Sequence, residues 1–149
     1  MKIVFQFFTL IAAILIGCFT AFYNFLFPDP AVSTIKTQLD MNIKPYYVEF
    51  HEDTHGGFLG DGEEIIIFTP NPEQTEKIKA EWKKTPVDSA IASLIFPEMG
   101  YNGLDLSKYI PNAEGFWFYK NRNESAVHSH NFSFALFDGE KVYYYELDT

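Results

Sequence analysis

Cysteine occurs once in these 149 residues, at position 18. The chain therefore cannot close an internal disulfide, and beyond residue 27 it has no thiolate for a zinc site or a cysteine nucleophile. Cationic side chains are also scarce. From Pro28 onward ten Lys and Arg face twenty Asp and Glu, a net charge of −10. Such a surface repels phosphate backbones and anionic lipid, which excludes nucleic acid as a partner. No glycine loop leads into a helix to cradle phosphate, no serine lies in a nucleophile-elbow setting, and no calcium-loop pattern occurs. Internal repeats and low-complexity segments are missing as well.

The longest absence is of charge: Ile3 to Phe27 is twenty-five residues without one formal charge. As a helix it would rise roughly 37 Å, enough to cross a hydrocarbon core of about 30 Å. Lys2 before the run and Asp29 after it predict the N-terminus inside and the remainder outside. A cleaved secretory signal fits poorly, because Phe19-Thr20-Ala21 puts a bulky ring where a small side chain is needed. Leu15-Ile16-Gly17-Cys18 resembles the lipobox of bacterial lipoproteins, which makes acylation of Cys18 the alternative. The apolar run continues past the cysteine, so an uncleaved anchor over 1–27 is the expectation.

The remaining 122 residues suffice for one domain. Pro28 and Pro30 open a stretch read as a juxtamembrane stalk over 28–45, followed by an extracytoplasmic domain over 46–149. YYVEFHED and EEIIIFT have strand composition. Between them Asp61-Gly62 predicts a two-residue hairpin turn, with Gly60 supplying a bulge and Gly56-Gly57 inside the first strand, open to close approach. Asn71, Pro72 and Gln74 form a helix-start signature, and the helix should run to about Thr85 with Ile78 and Trp82 as its apolar stripe. Its lysines 77, 79, 83 and 84 read as a solvated face. Ser89–Phe96 is helix or strand, 97–113 reads as loop, and GFWFYKNR as a strand. NFSFALF and VYYYELD form a C-terminal hairpin, with Phe132, Phe134 and Leu136 on one face and Tyr144 separated from Tyr143 and Tyr145. The fold class is α+β: a mainly antiparallel sheet of about five strands with one main helix packed on it.

The stretch D-T-H-G-G-F-L-G-D-G, with NFSFALFD and the ending VYYYELDT, resembles a group of small bacterial membrane-anchored or lipoprotein-like proteins. The likeness covers most of residues 46–149. It implies an outer-surface domain and brings no activity or catalytic residue with it.

Candidate chemistry gathers in that same stretch. In an extended strand His51, Asp53 and His55 project from one face, a donor set for zinc or a similar divalent metal. An open position on such an ion would activate water, so a metal-dependent hydrolase is one reading. His128 and His130 offer a second pair. The other reading makes Asp53, His55, Gly56, Gly57 and Asp61 ligand contacts of a hairpin, with no cofactor and no catalytic residue. Nineteen aromatic residues follow Pro28, and Tyr46, Tyr47, Tyr101, Tyr109, Tyr143 and Tyr145 are candidates to line a groove. The sequence thus favours a membrane-anchored binding or interaction module, facing a cell-envelope protein or glycan.

Overall fold

The computed structural model describes residues 9, 11–19, 22, 27–56, 61–101, 115–123 and 131–148. Residues 11–19 are helical, and Ile14, Leu15, Ile16 and Phe19 are exposed. Among the described residues no helix is long and apolar enough to cross a membrane. Most of the remaining 1–27 run lies outside them.

Helix α1, Pro30–Leu39, occupies the segment expected to be a stalk. The Asp29 side chain accepts from Val32 N at 3.2 Å and Pro30 takes the first turn, where its missing N–H costs nothing. Ala31, Ile35 and Leu39, four apart, form one buried stripe. Met41 and Ile43 continue it after the helix ends at Asp40, whose φ is 53°. These residues are part of the core, so the proline pair marks a helix start rather than a solvated spacer.

Among the described residues six strands follow: β1 Val48–Asp53, β2 Gly62–Phe68, β3 Lys83–Lys84, β4 Phe116–Asn121, β5 Phe132–Phe137 and β6 Val142–Asp148. They form one antiparallel sheet in the order β1-β2-β6-β5-β4-β3. Helix α2, Pro72–Glu81, carries the expected capping box between Asn71 and Gln74. It ends earlier than its composition suggests. Trp82 turns extended and packs into the core, and Lys83–Lys84 pair with Trp117 and Phe116. Helix α3, Ser89–Tyr101, resolves the ambiguous SAIASLIF as helix and runs through Pro97, past the expected loop start.

Helices pack on both faces, not one. Residues of α1, α2 and Trp82 cover Ile66, Phe68, Ala135, Phe137, Val142 and Tyr144. On the opposite face Ile91, Ala92, Leu94 and Ile95 of α3 meet Trp117, Phe132, Phe134, Leu136, Tyr145 and Leu147. The predicted alternation of β5 and β6 holds residue by residue. Their hairpin closes through Asp138, whose Oδ1 accepts from Glu140 N at 2.8 Å and Lys141 N at 2.7 Å, and through Gly139 at φ 103°.

The β1–β2 connection differs from the expected tight turn. Asp53 pairs with Glu64, and Gly62 already belongs to β2, opposite Asp148. Gly62 is needed for another reason. A Cβ placed there would lie 2.5 Å from His55 Cα, so the returning chain passes where a side chain would stand. A Cβ at Gly56 would meet only Thr54 O at 3.7 Å, an ordinary contact. Gly57 and Gly60 lie outside the described residues, as do His128, His130 and Tyr109.

Candidate functional site

Strand register arranges the α1 face of the sheet in rows. Val48, Phe68, Val142, Phe137 and Phe116 form an apolar row, and His51, Ile66, Tyr144, Ala135 and Phe118 form the next. The third row is polar throughout: Asp53, Glu64, Glu146, Ser133 and Lys120. Side-chain alternation puts all three rows on the same face, so the apolar core gives way at one end of the sheet to a band of charge. Helix α1 borders this band. Gln38 of this helix accepts from Lys120 Nζ at 3.4 Å.

Two carboxylates in the row are buried. Glu64 is 5% exposed and Glu146 6%, directly opposite one another on β2 and β6. Burial pushes the Glu64 carboxyl above its ordinary range, opposed by hydrogen bonds from His51 and Thr34 and reinforced by the Glu146 charge. His51 Nε2 is 2.9 Å from Glu64 Oε1. Glu146 is better served, with Arg122 Nη1 donating to Oε1, the Tyr144 hydroxyl to Oε2 and Ser133 Oγ to Oε2 at 3.3 Å. Burial, then the neighbouring Glu146 charge and hydrogen bond, push the Tyr144 hydroxyl far above its ordinary value, so it stays protonated. Arg122 also reaches Asp148 Oδ2 at 2.7 Å.

His55 lies two residues beyond the end of β1 rather than on it. Its backbone N and its Nδ1 both meet Asp53 Oδ1, at 2.9 and 2.7 Å. Burial alone would raise the Asp53 carboxyl, but those bonds from His55 outweigh it and hold the group below its ordinary range. An ionised carboxylate only accepts, so Nδ1 carries the proton. The opposite nitrogen, Nε2, is shielded from solvent and 3.5 Å from Asp148 Oδ2, within ion-pair range but making no hydrogen bond.

The expected His51, Asp53 and His55 donor set is therefore divided. His51, Asp53 and Glu64 offer ligand atoms within 4.8 Å of one another, and His55, Glu146 and Asp148 form a second such group. Of the expected ligand contacts, Asp53 and His55 join the cluster, while Gly56 and Asp61 are exposed nearby. Glu64, Glu146, Asp148, Arg122, Ser133 and Tyr144 were not singled out by sequence reasoning. Their signal is present in the alternation Tyr144, Glu146, Asp148, where acids replace apolar residues on a core-facing register.

Tyr46 and Tyr47 lie apart from Tyr143 and Tyr145, and the Tyr101 side chain is outside the described residues. Tyr46 and Tyr47 have ring centroids 4.5 Å apart before β1, Tyr143 donates to Asp138 Oδ2 at 3.1 Å, and Tyr145 is buried under α3. No family model, curated protein or solved structure matches the chain.

Proposed function

We propose that this is a membrane-anchored extracytoplasmic protein whose α+β domain is a non-catalytic binding module. The observation that carries the binding reading is the polar row at the end of an otherwise apolar sheet face. Asp53, Glu64, Glu146 and Asp148 outnumber Arg122 and Lys120, so the band suits a cationic group or a ligand bridged by a cation. The anchor rests on the uncharged Ile3–Phe27 run and on the exposed apolar side chains of its described helical part. Cys18 acylation is the other route to the same surface, and a cell-envelope protein or glycan is the partner class. The sequence resemblance to small bacterial membrane-anchored or lipoprotein-like proteins implies the same placement.

We favour this reading over a hydrolase built on the His51–His55 strand, because His55 lies two residues beyond β1 and its Nε2 faces Asp148. Ser133 is buried and tied to Glu146, which suits packing rather than attack.

The test is cellular fractionation with external protease. The full chain should sediment with membranes, and residues after Pro28 should be cleaved in intact cells. Recovery in the soluble fraction, or protection of the domain, would overturn the reading. An unchanged mass in Cys18→Ser distinguishes anchor from lipoprotein.

A further inference from the structure

We propose that His55, Asp148 and Glu146 form a binding site for one divalent cation of the zinc class, oriented from behind by Asp53. The inference names the ligand of the polar row and rests on the binding reading above. Its starting point is His55 Nε2. Asp53 engages Nδ1, and Nε2 is shielded from solvent, has no hydrogen-bond partner and is aimed at a carboxylate oxygen 3.5 Å away. A separation of 3.5 Å is too long for a hydrogen bond, yet it matches the edge of a tetrahedral site, about 3.4 Å for metal–ligand bonds near 2.1 Å.

The surroundings fit an ion. A histidine whose other nitrogen donates to a carboxylate is the usual second-shell arrangement of metal-bound imidazole, because it sets both tautomer and ring direction. Glu146 offers a ligand atom within 4.8 Å of the other two. Arg122 holds one oxygen of each acid, so its single charge leaves the Glu146–Asp148 pair at net −1. Gly62 completes the arrangement, since only a residue without Cβ lets the His55 backbone approach within 2.5 Å of that point and bring the ring over β6. One imidazole and two carboxylates suit zinc or manganese better than calcium, which prefers oxygen alone. The His51–Asp53–Glu64 group is less suited, because His51 Nε2 and Glu64 Oε1 already close on each other at 2.9 Å.

The full chain, purified without a histidine tag in detergent micelles, should be titrated with Zn²⁺ alone. One ion per chain is expected, and the ¹⁵N resonance of His55 Nε2 should move while Nδ1 stays protonated. His55→Gln and Asp148→Asn should each weaken binding tenfold or more, and Asp53→Asn should weaken it by roughly ten- to a hundredfold as an orienting residue. Glu49→Gln, outside the site, should leave it unchanged. No stoichiometric binding, or an unmoved His55 resonance in folded wild-type protein, would overturn the proposal. So would loss on His51→Gln with retention on His55→Gln, which would place the ion on the other group. Failure here with the membrane and protease results intact would leave the anchored-domain reading standing.

Discussion

Glu64 on β2 and Glu146 on β6 are direct cross-strand partners, and both are more than nine-tenths buried. Like charges facing each other across a sheet disfavour folding, and burial adds to the cost. Arg122 answers Glu146, while Glu64 meets the His51 imidazole. The folded state accordingly holds the Glu64 proton more tightly than the unfolded chain does.

That binding fixes the sign of a pH effect. An acid whose folded pKa is raised binds more protons when native, so its contribution to stability falls as pH rises from the unfolded carboxyl range through the higher folded value. Glu64→Gln should therefore be more stable than wild type at neutral pH and should flatten the fall in stability above about pH 4.5. Urea unfolding at several pH values would measure it. An unchanged slope would mean that Glu64 titrates as it does in the unfolded chain.

Gly62→Ala tests the close approach of the β1–β2 connection. The added Cβ meets His55 backbone at 2.5 Å, so the strand or the loop must shift, at a cost of roughly 1–3 kcal/mol. Gly56→Ala, with only an ordinary contact, should change stability much less. Thermal unfolding of the two variants should separate them clearly.

Ile35→Ala examines whether α1 is part of the folding unit. Ile35 is fully buried against the sheet, and truncation of such a side chain costs about 2–5 kcal/mol. A denaturation midpoint equal to wild type would mean that 30–39 is a detachable spacer.

Asn71→Ala removes the acceptor for Gln74 N and half of the capping box. The expected loss is about 1 kcal/mol, read from chemical denaturation. Gln74→Ala should cost at least as much, because Gln74 Nε2 also donates to Asn42 O and ties α2 to the segment after α1.

What the sequence determined by itself was local. The Asn71-Pro72-Gln74 start of α2, the twofold alternation from Phe132 to Tyr145 and the C-terminal hairpin all depend on neighbours a few residues apart, so composition and spacing made them legible. The α+β class followed from those elements. Tertiary structure decided the rest. Helix α1 carries a readable cap at Asp29-Pro30, but its stripe of Ala31, Ile35 and Leu39 acquires meaning only when the sheet it covers exists. Trp82 ends α2 early because a place in the core and pairing with β4 outweigh helix propensity. The cluster was least legible of all, because no local pattern states that Glu64 will face Glu146 or that His55 will reach Asp148. Those meetings are set by strand order, which places β6 beside β2, and by register, where a slip of one residue would have sent the whole acidic row to the opposite face.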